Sequence, residues 1–186
     1  MRAPDSDLPD EGERACGTAY HSVEQVRDHV AACSLAGIQA GFHVIGDAGA
    51  DTVVEGIQAA AAQVGAACVA QARHRLEHLE MVRAGGIKAL AELKVTASVQ
   101  PMFDALWGGP NGMYAARLGS DRANGRNRFG SMAAAGMTLP FGSGTPVTPG
   151  AHWPAARAAP SPHAPHQRAP AASPLPPPPR PVARAP

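Results

Sequence analysis

Lysine and cysteine are scarce in this 186-residue sequence. Two lysines stand against 14 arginines, which is typical of a GC-rich coding sequence and carries little information about function. The three cysteines lie far apart with no CxxC pair, which argues against a disulfide framework and favours a reducing cytoplasm. The N-terminus is acidic and turn-rich with no apolar run, so neither a secretory signal nor a membrane segment is expected.

Acidic residues are absent from positions 149–186, which also hold 13 of the 19 prolines. Because proline removes backbone donors and blocks helical geometry, we predict a disordered tail here. The residues before 149 carry 12 Lys plus Arg against 15 Asp plus Glu, so no basic surface for nucleic acid is expected. We divide the chain into a polar N-terminal segment (1–21), a folded body (22–148) and the tail (149–186).

Predicted strands and helices alternate along the body. The strand patterns cover 38–44, 73–79, 94–101 and 137–143, and the helix patterns cover 21–37, 46–65, 85–93 and 126–136. A long Gly-rich loop separates the third strand from the last helix. This order predicts a parallel sheet with right-handed crossovers. A complete (β/α)8 barrel needs about 250 residues, so the body has room for about half of one.

The two faces of the predicted strands differ in polarity. Parallel strands buried on both faces read as continuous apolar runs, whereas alternate positions here are small or polar. These positions are Gln39, Gly41 and His43 in the first strand and Thr96, Ser98 and Gln100 in the third. In the second strand His74, Leu76 and His78 share a face, so it follows the pattern less cleanly. A barrel interior with a polar mouth explains these strands better than an open sheet does.

No glycine pattern for phosphate binding is found. Neither GxGxxG nor a Walker loop occurs, and "GDAG" lacks the glycine spacing that lets backbone amides surround a phosphate. A doubly wound nucleotide-binding domain is therefore disfavoured.

His43 and His78 each end a predicted strand, one strand apart. Imidazoles at the ends of neighbouring parallel strands can converge on one divalent metal, as neutral ligands about 2.0–2.1 Å from zinc. Each histidine by itself also fits a hydrogen-bonded core residue. The spacing alone leaves both interpretations open.

Three other polar residues have competing interpretations. Asp47 is predicted to cap the helix that follows the first strand, and to help hold the loop of His43. His74 is predicted to line the barrel in a structural role, with support of the site as the alternative. Gln100 either bonds a substrate or caps the barrel. The segment 107–119, which includes Trp107, is either a packed surface loop or a loop over the barrel mouth.

Five stretches resemble, in order, the C-terminal half of the amidohydrolase superfamily. They are HVIGDAGADTVVEGI, RHRLEHLEMV, TASVQPMFDALWGG, RLGSDR and FGSGTPVTP, and the similarity runs from about Ser22 to Pro149. The branch that includes N-substituted formamide deformylase-like proteins is the most similar. The HxxGD and R-H-R-x-E-H elements are specific as an ordered set. The resemblance implies an α/β fold, a partial (β/α)8 TIM-type barrel of about the last four strands.

The same resemblance implies a hydrolase of non-peptide C–N bonds that uses a divalent metal, zinc by preference, on a small amide-like substrate. His43 and His78 match the family's metal ligands at the ends of the fifth and sixth strands. The family's metal-binding and proton-relaying Asp, in an S-D-x-P-V turn, is replaced by Gly144. We therefore assign no catalytic residue.

Two further departures weaken the expected site. Nothing before Ser22 resembles the family's His-x-His strand, and Lys88 and Lys94 do not end predicted strands, so no bridging lysine is expected. Two ligands predict a weak, open metal site. Half a barrel also leaves open sheet edges that favour self-association. The alternative is an inactive, truncated or frameshifted remnant, with the frame changing near Gly144 or Pro149.

Overall fold

A three-stranded parallel sheet organises the protein in a computed structural model that describes residues 18–148. Its strands are β1 (Gly41–Val44), β2 (Arg75–His78) and β3 (Thr96–Ser98), in that order across the sheet. The fourth predicted strand is present only as two parallel bridges to the third, Thr96 to Thr138 and Val99 to Phe141. The α/β class and the parallel sheet are confirmed, while closure into a barrel stays a prediction.

Eight helices connect and flank these strands within residues 18–148. They are α1 (Val23–Leu35), α2 (Asp47–Val64), α3 (Ala66–Ala72), α4 (Ala84–Glu92), α5 (Pro101–Trp107), α6 (Met113–Leu118), α7 (Ser120–Asn124) and α8 (Phe129–Ala134). The proposed tail and most of the proposed N-terminal segment lie outside the described residues. None of the helices in the described part is both long and apolar enough to cross a membrane.

The start of α1 follows the sequence expectation, and the start of α2 does not. Ser22 and Gln25 form a capping box, in which each side chain bonds the other residue's backbone amide, at 3.3 and 2.9 Å. The predicted cap of α2 by Asp47 is wrong, because Gly46 occupies the cap position. Asp47 is already helical, and its Oδ1 accepts a hydrogen bond from the Ala48 amide at 2.8 Å.

The long loop predicted between the third strand and the last helix is also wrong. Residues 101–124 form the three short helices α5, α6 and α7. Pro101 occupies the first turn of α5, where a missing amide hydrogen costs nothing. Gly108, Gly112 and Gly119 mark the ends of these helices, so the glycines that predicted a loop instead divide it into helical turns.

The apolar faces of the strands pack under the helices as predicted. Val44, Leu76 and Ala97 are buried on this side of the sheet. They belong to one apolar cluster with Val26 of α1 and Ile57 of α2. The small or polar positions of the same strands therefore lie on the opposite face, where the site is built.

His74 has a structural role, but it lies on the helix side of the sheet and not in a barrel interior. Its ring is fully buried, and its Nδ1 accepts a hydrogen bond from the Ala40 amide at 3.0 Å. Its Nε2 lies 2.8 Å from the Ser34 hydroxyl of α1, which itself donates to the Val30 carbonyl at 2.7 Å. These partners require a neutral ring protonated on Nε2, and burial lowers the pKa of His74, with a smaller contribution from His29.

Acid is expected to destabilise the fold through His74. In the unfolded chain a histidine has a pKa of about 6.5 and takes up a proton first, since the pKa of folded His74 is lower. Its contribution to the free energy of unfolding is therefore complete above about pH 6.5 and is lost as the pH falls from there through the lower pKa of the folded residue. Urea unfolding of the wild type and of His74→Gln, which does not titrate, should show a smaller fall from about pH 7.5 to about pH 5.5 for the variant. Equal falls would contradict this assignment.

Candidate metal centre

His43 and His78 meet at the carboxyl edge of the sheet. His43 Nδ1 lies 3.1 Å from His78 Nε2, and the ring centroids are 5.0 Å apart. They come from neighbouring strands, in a register that places His43 opposite Glu77 and Val44 opposite His78. The sequence predicted that these two imidazoles end adjacent strands, and the structure brings them together.

A left-handed backbone at the end of β2 makes this meeting possible. In a regular strand His78 would share a face with Leu76, which is fully buried under the helices. The φ angle of His78 is instead +72° and that of Leu79 is +47°. Such angles are uncommon for residues other than glycine. The chain therefore leaves the strand alternation at His78, whose ring turns toward His43 while Leu79 enters the core.

The environment of His78 favours a neutral ring. Burial lowers its pKa, nearby His43 lowers it further, and weaker interactions with Gln100 and Glu77 act in the opposite direction. His78 Nδ1 and Gln100 Oε1 are both buried without a hydrogen bond of normal geometry to any residue in 18–148. A neutral imidazole is the form that binds metals.

Glu77 lies opposite His43 in the strand register, and its carboxylate already has a hydrogen-bond partner. Glu77 accepts a hydrogen bond from Arg75 Nε, and Arg75 Nη2 donates to the Ser98 hydroxyl at 2.9 Å. Burial alone would raise the pKa of Glu77, but hydrogen bonds from Arg75 and Ser98 outweigh it and lower the pKa. Within the described part of the chain, no three His, Cys, Asp or Glu side chains form a group able to hold a metal ion.

Phe103 fills the space beside Gly144. The His78 ring stacks on the Phe103 ring with centroids 5.8 Å apart, and Phe103 packs on Trp107 at 4.6 Å. A Cβ atom on Gly144 would lie 2.7 Å from Phe103 Cε1 and 2.9 Å from Cζ. The turn that contains Gly144 and the ring of His78 thus contact the same Phe103 side chain, which occupies the space where a side chain at position 144 would begin. Sequence reasoning gave no signal for Phe103.

A polar cluster, buried except at Asp104, links the short helices α5 and α6 to residues after β2 and before α8. It consists of Glu80, Asp104, Tyr114 and Arg126. The Tyr114 hydroxyl donates to Glu80 Oε2 at 2.9 Å, Arg126 Nη1 donates to Asp104 Oδ1 at 2.6 Å, and the guanidinium lies 3.6 Å from the Tyr114 ring centroid. Burial raises the pKa of Glu80 and of Tyr114, and the Glu80 carboxylate raises that of Tyr114 further. The buried Tyr114 anchors the otherwise exposed or half-buried segment 107–119, and both interpretations of that segment stay predictions. The sequence did not point to this cluster.

The histidine pair fits part of a zinc site. Two nitrogens 3.1 Å apart can both bind one ion at about 2.0–2.1 Å, because their separation is less than twice that bond length. His78 faces His43 with its Nε2 atom. Its Nδ1 atom, on the other side of the ring, has no hydrogen bond of normal geometry within the described residues. A protein site needs at least three ligands, so the pair accounts for two of them.

Known proteins place the chain in a family. Residues 5–165 match the amidohydrolase family. Two structures of uncharacterised metal-dependent hydrolases are similar in fold with a TM-score of 0.64, from Pyrococcus furiosus at 22% identity and from Pyrococcus horikoshii OT3 at 24% identity. Each similarity covers 83% of this chain but only 29% and 28% of those proteins, so the chain spans less than a third of their length. No curated protein matches the sequence. With most of its length matched, the chain belongs to the amidohydrolase family.

Proposed function

We propose that this chain is part of a metal-dependent hydrolase of non-peptide C–N bonds, in which His43 and His78 hold a divalent ion, zinc by preference. The observation that carries the proposal is the convergence of the two imidazoles at the carboxyl edge of a parallel sheet. Family membership supports it, and the two Pyrococcus proteins of similar fold are described as metal-dependent hydrolases. A barrel architecture and the formamide deformylase-like branch belong to the same proposal.

The chain's own residues would perform limited tasks in this reaction. A bound divalent ion supplies Lewis acidity and makes water a better nucleophile at neutral pH. His43 and His78 would hold it as neutral nitrogen donors, and burial, which lowers the pKa of His78, favours the neutral form of that ring. The buried Gln100 Oε1, which has only a weak interaction with His78, is suited to accept a hydrogen bond from an amide N–H of the substrate. Phe103 and Trp107 would shield one side of the site from water.

The remaining ligands would come from residues beyond 18–148 or from another chain. The exposed edge of β1 and the outer edge of the segment 138–141 make no strand pairs with other described residues. Such edges template pairing with further strands. We therefore include self-association, or pairing with additional barrel strands, in the proposal. The cytoplasmic location expected from the cysteines stays a prediction.

A non-catalytic protein is the second candidate. Gly144 supplies no oxygen ligand and no proton acceptor, and Glu77 is held by Arg75. Loss of an acid that transfers protons costs on the order of 10²–10⁴ in rate even with the metal in place. A chain that binds zinc but hydrolyses no N-substituted formamide or related amide would support this second candidate.

Zinc affinity of the full chain tests the metal centre. Competition with a chromogenic chelator should show that His43→Ala and His78→Ala each weaken zinc binding by at least about tenfold. His21→Ala is the matched control, because it removes an exposed imidazole outside the pair and should leave the affinity unchanged. Equal affinities for all four proteins would show that zinc binds elsewhere and would remove the basis of the proposal.

A further inference from the structure

A depression of about 570 Å³ lies at the edge of the sheet opposite the histidine pair. Arg73 and Lys94 stand on its rim, just before β2 and β3 begin. Ala70, Val95 and Met137 contribute apolar lining. Its volume lies within the range of about 300–1,000 Å³ that is usual for small-molecule sites. Amino ends of parallel strands lie at one edge and carboxyl ends at the other, so this depression is separate from the proposed metal centre.

The charged residues that line this depression within 18–148 are all positive. They are Arg73 and Lys94. Neither forms an ion pair with another residue in 18–148. An anion that lies between two cationic side chains is attracted to both of them. The lining also includes Gln71 and Thr138, which are uncharged hydrogen-bond donors.

The backbone places Arg73 and Lys94 at the starts of neighbouring strands. Arg73 ends α3 with a φ of +49°, and Lys94 follows α4 with a φ of +56°. The Thr96 amide donates to the His74 carbonyl at 2.8 Å, so the residues just before the two strands are neighbours. Helix carboxyl ends by themselves favour cations. The additional observation here is that both cations border one depression with an apolar floor.

We propose that this depression binds a small organic anion that has a phosphate or carboxylate head and a short apolar body. The head lies between Arg73 and Lys94, where guanidinium and ammonium groups bond oxyanions. The apolar part of the anion covers Ala70, Val95 and Met137. No covalent step is involved, and the binding does not depend on the metal centre.

Phenyl phosphate is the probe, and amide chemical shifts of the full chain at low ionic strength are the measurement. Saturable shifts with a Kd of about 1–10 mM are expected around Ala70, Val95 and Thr138. Arg73→Asn and Lys94→Asn should each weaken binding by about fivefold, as expected for loss of one partly exposed charge. Asn tolerates a positive φ, so these variants keep the backbone. Lys88→Gln removes a charge from α4 outside the depression and should leave the affinity unchanged.

Three results would overturn the proposal. The first is the absence of saturable shifts up to about 20 mM, a concentration above the expected Kd. The second is equal weakening by Lys88→Gln and Lys94→Asn, which would indicate attraction to the general charge of the surface. The third is equal affinity for inorganic phosphate and phenyl phosphate, which would show that the apolar lining takes no part. Phenyl phosphonate, with a similar head and body, should bind like phenyl phosphate.

Discussion

Gly56→Ala is expected to lower the free energy of unfolding by roughly 2–3 kcal/mol, because a methyl group has no room between α1 and α2. A Cβ atom at position 56 would lie 2.5 Å from Val26 Cγ1 and 2.6 Å from Val26 Cβ. Both residues are buried, and α1 and α2 pack through this contact. The gain in helix propensity on replacing glycine, about 1 kcal/mol, would offset only part of the cost.

Gly49→Ala is the matched control for this prediction. Gly49 belongs to the same helix, and a Cβ atom there would have no heavy atom within 4 Å. This variant should be as stable as the wild type or more stable, by up to about 1 kcal/mol. Urea unfolding monitored by circular dichroism measures both variants. If Gly56→Ala were as stable as Gly49→Ala, the close packing of the two helices would be wrong.

Local patterns predicted the parts of the fold that depend on local interactions. The Ser22 capping box and the alternating burial of β1 follow from neighbouring residues, and both are confirmed. In β3 the alternation is absent, because Ser98 is buried as well as Ala97. The short helices between Pro101 and Asn124 were missed because the four glycines of that segment were taken as signs of a loop. Their stability comes from tertiary contacts, such as the Arg126–Asp104 ion pair and the Tyr114–Glu80 hydrogen bond, which no local pattern contains.

In the candidate site, too, only the features that depend on local sequence were predictable. The positions of His43 and His78 at the ends of adjacent strands were predictable, since parallel strands end at one edge of a sheet. The orientation of His78 was not, because it depends on a left-handed backbone at a residue other than glycine. Phe103 was not predictable either, because its contact with His78 requires α5 to fold back over the sheet. Family resemblance indicated Gly144 as a missing acid, but not what fills its place.

Gly144→Asp is expected to destabilise the chain by about 1–3 kcal/mol and to leave zinc affinity no higher than in the wild type. Gly144 has a φ of +71°, which disfavours side chains, and its Cβ would collide with Cε1 and Cζ of Phe103. Movement of the Phe103 ring would disturb its contacts with His78 and Trp107. Restoring the acid of the family would therefore place a carboxylate against an aromatic ring and not beside the metal-binding nitrogens.

Phe103→Leu removes the two ring atoms that block position 144. The double variant Phe103→Leu/Gly144→Asp therefore tests whether the Phe103 ring, or the distance to the histidine pair, keeps a carboxylate at position 144 from binding zinc. If obstruction is the cause, zinc should bind the double variant at least about tenfold more tightly than Phe103→Leu alone, because a carboxylate oxygen then becomes a third ligand. Chelator competition measures the affinities, and urea unfolding confirms that both proteins are folded. Tighter binding by Gly144→Asp alone would show that the ring yields easily. Equal affinities of Phe103→Leu and the double variant would show that position 144 is too far from His43 and His78 to complete their site.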